Sequence, residues 1–312
     1  MADVVVQRTE KPGRKGPGRL TIVNWFWGYF FIAPIIMGIL VFSVGPVFYS
    51  LYMSLTSWDG IMSAKFIGFG NFVRMAKDAE LKTELFNTFK YTIWSVPLGL
   101  GISVFFAAIM NSKIRGKSFY RVIYFLPVVT MPVAVATVWR YLFNSQFGLV
   151  NYLFRPFGLN PQWLGDPKYI MTALIVVSIW SGIGYSLIIL TAGLQQIPGT
   201  YYEAARIDGA SPAYQFFRIT IPLLSPTIFF LLVTGMMFSL RMFDLVFVFI
   251  ASTANSGPTT NAIRTMVFGI YQRGFIFLQM GYASANAVLL FVIILLVTLI
   301  QFKLQKKLVF YD

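Results

Sequence analysis

Six long apolar runs, separated by polar breaks, constrain this 312-residue chain more than any other feature. An α-helix needs about 20 apolar residues to cross the hydrocarbon core of a bilayer. The mean hydropathy of +0.70, with 57% hydrophobic and only 12% charged residues, is far above that of a water-soluble domain. The sequence therefore predicts an all-α, polytopic membrane protein with six transmembrane helices, which cover residues 25–52, 91–110, 122–142, 169–194, 221–250 and 282–302.

The basic residues lie beside these runs. Residues 1–24 are rich in Lys, Arg, Gly and Pro, so they are predicted to form a disordered basic arm before a transmembrane domain at 25–312. The loop 111–121 has four cations and no acidic residue. Because cytoplasmic loops carry the excess of Lys and Arg, both termini are expected in the cytoplasm. We therefore attribute the net charge of +14 to residues that set the orientation of the chain in membrane lipid, and not to a surface that binds nucleic acid.

The composition removes most catalytic chemistry. The chain has no Cys and no His, which excludes thiol nucleophiles, imidazole acid–base catalysis and the usual zinc sites. Gly116, Lys117 and Ser118 resemble the end of a phosphate-binding P-loop, but the first glycine of that motif is missing and a membrane span precedes it. We expect no catalytic residue, no metal and no cofactor on this chain.

The polar loop between the fourth and fifth runs, at 197–220, predicts two short helices. Thr200, followed three residues later by Glu203, is typical of a capping box at a helix start. Gly209 is suited to end that helix. Ser211 and Pro212 are suited to the N-cap and first turn of the next helix, which leads into the fifth span.

This loop resembles the cytoplasmic loop of ABC importer permeases. The motif of that loop is Glu-Ala-Ala, three residues, Gly, nine residues, Ile, one residue, Leu-Pro. Only Ile221 departs, where the family usually has Leu. The resemblance implies that the loop is a coupling helix seated in an ATPase subunit; the alternative is an amphipathic helix that packs on its own bundle. The residues that the resemblance assigns to coupling are Glu203, Ala204, Ala205, Arg206, Asp208, Gly209, Ile219 and Pro222.

The resemblance covers nearly the whole chain, including 46–60, 87–111, 120–144 and 281–285, and is strongest to the maltose-type sugar branch. It implies the type I importer permease fold in a bacterial or archaeal inner membrane. It also implies a second homologous permease subunit, two ATPase subunits that hold ATP and Mg, and an extracytoplasmic sugar-binding protein. The substrate is expected to be a carbohydrate, such as an oligosaccharide or related sugar.

Polar and aromatic side chains inside a span are candidates for a substrate path, because such groups usually face a cavity. Trp180, Ser181, Gly182 and Tyr185 resemble the residues that line the sugar site of this branch. On the fifth span there are two alternative stripes, of which the resemblance prefers the second. They are Gly235, Ser239 and Met242, or Met237, Arg241 and Asp244. Ordinary helix packing is the alternative for all of these residues.

Other functions have their own requirements. A self-sufficient secondary transporter or channel needs ion-coupling carboxylates at mid-membrane, and Asp244 is the only acidic residue within the predicted spans. Arg241 lies three residues before Asp244, so the two are expected to pair on one helix face. An ABC permease for a non-sugar solute also remains an alternative.

Overall fold

The computed structural model describes residues 19–111, 115–251 and 257–310, and these are almost entirely helical, which confirms the all-α class. The chain forms two compact units, residues 1–52 and 53–312. α1 (Arg19–Ile39) continues through a π-helical turn (Leu40–Val44) into α2 (Gly45–Ser54), and the first unit ends two residues before the end of α2. Of the predicted basic arm, residues 1–18 lie outside the described residues, whereas residues 19–24 already belong to α1.

After α2, the second unit begins with a hairpin whose two strands have two residues each. β1 (Thr56–Ser57) pairs antiparallel with β2 (Lys65–Phe66), with Thr56 opposite Phe66. The remaining helices follow in chain order: α3 (Gly70–Lys77), α4 (Ala79–Asn111), α5 (Lys117–Val129), α6 (Pro132–Leu142), α7 (Leu149–Phe154), α8 (Pro167–Gln196), α9 (Gly199–Ile207), α10 (Pro212–Gln215), α11 (Ile221–Leu240), α12 (Asp244–Ala251), α13 (Pro258–Ile263), α14 (Met266–Tyr271) and α15 (Met280–Leu308). A π-helical turn (Phe216–Thr220) joins α10 to α11.

Among the residues that the structure describes, five helical stretches are long and apolar enough to cross a membrane, and the bent pair α5 and α6 makes a sixth crossing when counted as one. The second stretch begins twelve residues before the predicted span at 91, because α4 starts at Ala79. Asp78 marks that start, since its Oδ1 accepts hydrogen bonds from the backbone N–H groups of Glu80 and Leu81.

The third predicted span, 122–142, is not one straight helix. α5 and α6 meet at a bend of 104°. Pro132 is the cause that the sequence offers, because a proline disfavours helical backbone in the residue before it. Met131 accordingly has φ −58° and ψ 133°, outside the helical region.

The fifth predicted span, 221–250, is interrupted between Leu240 and Asp244. The carbonyl of Met242 within this gap accepts a hydrogen bond from the Thr265 hydroxyl at 3.1 Å. Arg241 and Asp244 therefore do not lie on one continuous helix, and the described residues contain no ion pair between them. The expected pairing is wrong.

Close helix packing depends on two glycines of α8. A β-carbon at Gly184 would collide with the carbonyl oxygen of Tyr124 in α5, and one at Gly193 would collide with Thr227 in α11. Because small residues let backbones approach closely, α8 packs tightly against both neighbours. Its other faces contribute Leu174, Val177 and Leu190 to the buried core.

Candidate functional site

The loop after α8 forms the two predicted helices, α9 and α10. Gly209 has φ +76°, and the N–H groups of Gly209 and Ala210 bond to the carbonyls of Arg206 and Ala205 at 3.1 and 2.8 Å. This pair of bonds is a Schellman motif, which ends a helix at a left-handed residue. Ser211 caps α10 by accepting from the N–H of Tyr214, as predicted. The predicted cap at Thr200 is wrong, because the N-cap of α9 is Pro198 and no side chain caps it.

α9 has an exposed face and an anchored face. Glu203, Ala204, Arg206, Asp208 and Gly209 are exposed, and α9 has no buried residue. Ala205 is half-buried, as are Ile219 and Pro222 at the start of α11.

The anchor is Tyr202, whose hydroxyl lies 2.9 Å from Thr220 Oγ1 in the turn before α11. Ile207, at the end of the helix, is 87% exposed. Ala204 and Ile207 are thus both exposed on α9.

A central cavity of about 540 Å³ lies between α4, the α5–α6 bend, α8 and α11. Most of its lining is apolar, with a few polar groups, as in small-molecule sites. The structure brings seven of the predicted path residues to its wall, and these are Ser181, Gly182, Tyr185, Gly235, Ser239, Met242 and Asp244.

Three predicted path residues do not line this cavity. Trp180 is 42% exposed and packs edge-on against Trp139, with ring centroids 5.5 Å apart. Met237 packs against the cluster around Phe229, and Arg241 is exposed and donates to the Met237 carbonyl. The stripe Gly235, Ser239 and Met242 therefore faces the cavity as a set, whereas the stripe preferred by the resemblance contributes Asp244 alone.

The cavity also has polar residues that the sequence did not single out, including Tyr91, Thr130, Ser178 and Thr234. Three of these hydroxyls, at Thr130, Ser178 and Thr234, donate to the carbonyl four residues earlier in their own helix. Their donors are thereby satisfied while the oxygens can still accept a hydrogen bond from a ligand. For Ser178 the sequence did contain a signal, because this polar residue lies three positions before Ser181 and so on the same face of the helix.

A buried ion network lies away from the cavity, where α4 begins. Glu84 is fully buried; its Oε2 lies 2.6 Å from Arg273 Nη1 and its Oε1 lies 3.4 Å from Arg264 Nε. The expectation that Asp244 is the only acidic residue within a membrane-length helix is therefore wrong, because the predicted span began after Glu84.

Asp78 extends this network, and its Oδ2 accepts from the Tyr282 hydroxyl at 2.6 Å. Burial tends to raise the pKa of Asp78, but the Tyr282 hydrogen bond, backbone donors and the charge of Arg273 outweigh it and lower the pKa below its ordinary value.

Within 19–111, 115–251 and 257–310, no group of three or more Asp or Glu side chains is arranged to hold a metal ion. Gly116 precedes α5 in a left-handed conformation, and the residues before it, 112–114, lie outside the described residues. The geometry is that of a helical membrane protein, with a cavity inside the bundle and a short exposed helix, α9, after α8.

The comparisons with known proteins agree. The family described as "Binding-protein-dependent transport system inner membrane component" matches residues 99–309. The Bacillus subtilis (strain 168) protein named "Probable ABC transporter permease protein YesP" is 39% identical over 289 residues, which cover 91% of this chain and 92% of that protein. The sn-glycerol-3-phosphate transport system permease protein UgpA of Escherichia coli (strain UTI89 / UPEC) is 33% identical over 285 residues, covering 91% and 95%.

Among solved structures, a bacterial ABC transporter involved in the import of the acidic polysaccharide alginate matches with a TM-score of 0.79. It is 23% identical, with 92% of this chain and 97% of that chain covered, so it supports the fold. The chain belongs to the family of inner-membrane components of binding-protein-dependent transport systems.

Proposed function

We propose that this chain is a permease subunit of an ATP-binding-cassette importer that moves a carbohydrate into the cytoplasm. The observation that carries the proposal is α9, a helix with an exposed small-residue face that is bonded through Tyr202 to the root of α11. α11 in turn contributes Gly235 and Ser239 to the central cavity. A push on α9 therefore has a short mechanical route to the cavity wall.

The remaining parts of the importer follow from this assignment. Two separate ATPase subunits bind ATP and Mg and receive α9, with Glu203, Ala204, Ala205, Arg206, Asp208 and Gly209 at the contact and Ile219 and Pro222 beneath it. A second homologous permease closes the path, and an extracytoplasmic binding protein delivers the sugar. Both termini lie in the cytoplasm, on the side of α9.

The carbohydrate assignment is supported by the cavity chemistry and by the relatives. Aromatic Tyr185, together with serine and threonine hydroxyls and the Asp244 carboxylate, offers a stacking face and acceptors for sugar hydroxyls. One relative is named for sn-glycerol-3-phosphate, and one structural neighbour imports alginate.

The test replaces Ala204. Because Ala204 is exposed, a larger side chain at this position does not collide with the rest of this chain. Ala204→Trp is expected to reduce both ATPase copurification and ATP-dependent sugar uptake by at least tenfold, because the indole blocks close approach of a partner surface. Ala204→Ser is the matched control and should retain both. If Ala204→Trp keeps a full complement of ATPase subunits and full uptake, α9 does not couple the chain to ATP.

A further inference from the structure

A second cavity, of about 520 Å³, lies at the end of α8 opposite the coupling helix. We call it the outer cavity. α8 is a single helix of 30 residues, so its two ends are roughly 45 Å apart. α9 follows its C-terminal end, whereas the outer cavity lies beside Gly165, just before its N-terminal end. Its lining includes Arg140, Phe143, Asn144, Gln162, Trp163 and Thr259.

Two helices lead from the central cavity to the outer one. In α6, Val135 lines the central cavity and Arg140 lines the outer cavity, five residues or roughly 8 Å further along. In α12, Asp244 lines the central cavity and Ala251 the outer one. Fully buried side chains of the same helices, such as Ala136, pack between them. The outer cavity is therefore a separate chamber in line with the central one.

The lining of the outer cavity has the groups that commonly bind sugars. Trp163 is half-buried, and it is held in place because the buried ring of Phe143 packs against it, with centroids 5.4 Å apart, and because its Nε1 donates to Asn151 Oδ1 at 2.7 Å. Asn151 is itself buried and donates to Asn160 Oδ1 at 3.0 Å. The aromatic surface is thus fixed before any ligand arrives, which lowers the entropy cost of binding.

Arg140 supplies the strongest donor. No carboxylate of the described chain pairs with its guanidinium, and neither Asp nor Glu lines the outer cavity. A guanidinium presents five N–H donors and accepts nothing, so it favours a ligand with oxygen acceptors. The amides of Asn144 and Gln162 and the hydroxyl of Ser145 lie on the same wall.

We infer that the outer cavity is a second carbohydrate-binding site, where Arg140 donates to ring hydroxyl or carboxylate oxygens while the sugar ring packs against Trp163. A saccharide is held there before it reaches the central cavity. The inference rests on the proposed function, because it takes the imported solute to be a carbohydrate. The lipid phosphate of the outer leaflet offers the same acceptor chemistry, and it is the competing occupant.

The experiment uses the complete complex in two stages. First, proteoliposomes with the binding protein and ATP are tested for uptake of labelled neutral and uronic mono- to tetrasaccharides. Second, the saccharide taken up best is bound, without binding protein, to the complex in nanodiscs by scintillation proximity. Gly182→Trp is included to fill the central cavity, since a β-carbon at Gly182 meets no atom within 4 Å.

In the Gly182→Trp complex we expect saccharide binding to persist at the outer cavity, and the added change Arg140→Gln to weaken it at least tenfold, as the loss of a charged hydrogen-bond donor predicts. Lys168→Gln is the matched control, because Lys168 is an exposed cation at the same end of α8 that does not line the outer cavity. The control should bind like its parent.

Three results overturn the inference while uptake by the unmodified complex stands. They are loss of all binding in Gly182→Trp alone, equal binding by the Arg140→Gln and Lys168→Gln variants, and an Arg140→Gln effect that vanishes when the complex is transferred from the nanodisc to a phosphate-free amphipol. The last result would assign the outer cavity to a lipid phosphate. Absence of uptake for every saccharide by the unmodified complex is a different failure, because it removes the proposed carbohydrate function itself.

Discussion

The ion network at the start of α4 allows a sharp test of how this bundle tolerates buried charge. Glu84 and Glu80 are one turn apart on the same helix, and both pair with Arg264, at 3.4 and 3.3 Å. They differ in burial, since the side chain of Glu84 is 0% exposed and that of Glu80 is 61% exposed. Replacing each by glutamine removes one negative charge and changes the side-chain shape very little.

The expected costs differ strongly. Glu84→Gln removes the 2.6 Å partner of Arg273 and leaves this buried guanidinium with Asp78 at 3.4 Å; removing one partner of a buried pair costs about 3–5 kcal/mol. A carboxylate as exposed as Glu80 is screened by water and contributes less than about 1 kcal/mol. Gly269 adds to the asymmetry, because its backbone packs directly against the Glu84 carboxylate and leaves no space for rearrangement there.

The assay is thermal unfolding of the complex in nanodiscs, followed through the tryptophan fluorescence. With a shift of about 2 °C for each kcal/mol in a unit of this size, Glu84→Gln should lower Tm by roughly 6–10 °C. Glu80→Gln should lower it by less than about 2 °C. Equal shifts in the two variants would refute the reasoning, because burial would then not determine the strength of these pairs. A double variant with Arg273→Met should recover part of the loss, since it removes a buried cation whose remaining partner is the more distant Asp78.

Three further predictions follow from single residues. Gly182→Leu should abolish sugar uptake without loss of complex assembly, because it fills the central cavity from an open position, whereas Gly182→Ala should transport normally in the same uptake assay. Ser211→Ala should destabilise the start of α10 by about 1 kcal/mol by removing the bond to the Tyr214 N–H, measured as faster amide exchange there, and Ser211→Asp should retain the protection. Because the pKa of Asp78 is lowered in the fold, its contribution to stability is present above its unfolded pKa and is lost as the pH falls through its folded pKa. Asp78→Asn should therefore flatten the decline of Tm over that acidic range. An unchanged decline would show that other groups cause it.

The parts of this fold that the sequence predicts well are those governed by local chemistry. Long apolar stretches locate the membrane-length helices, because length and hydropathy are properties of the stretch itself. The elbow between α9 and α10 is equally local, since Gly209 and the Ser211–Pro212 pair specify their backbone without help from distant residues. The prediction of a cap at Thr200 failed because α9 begins two residues earlier, after Pro198, which has no side-chain acceptor for the first turn.

The parts that failed depend on partners far along the chain. Glu84 is buried in a helix only because Arg264 and Arg273 reach it from nearly two hundred residues away, and no local pattern announces that contact. The interruption between Leu240 and Asp244 has neither proline nor glycine, and the bond from Thr265 to Met242 is again distant in sequence. That interruption changed which stripe of the fifth span faces the cavity, so the choice between the two stripes required the tertiary structure.

The arrangement of continuous and interrupted helices around the central cavity bears on how a signal at α9 reaches the solute. α8 runs without a break from the outer cavity, past Ser181, to the loop that leads into α9, and it packs closely on its neighbours at Gly184 and Gly193. The opposite wall is formed by the 104° bend between α5 and α6, where the backbone is not part of a continuous helix. A rigid element facing a bent one concentrates any displacement at the bend, because packed helices move as units and adjustments of φ and ψ occur in the few residues between them. We therefore expect Thr130 and Met131 to move most when α9 is pushed, and the solute cavity to change shape mainly along that wall.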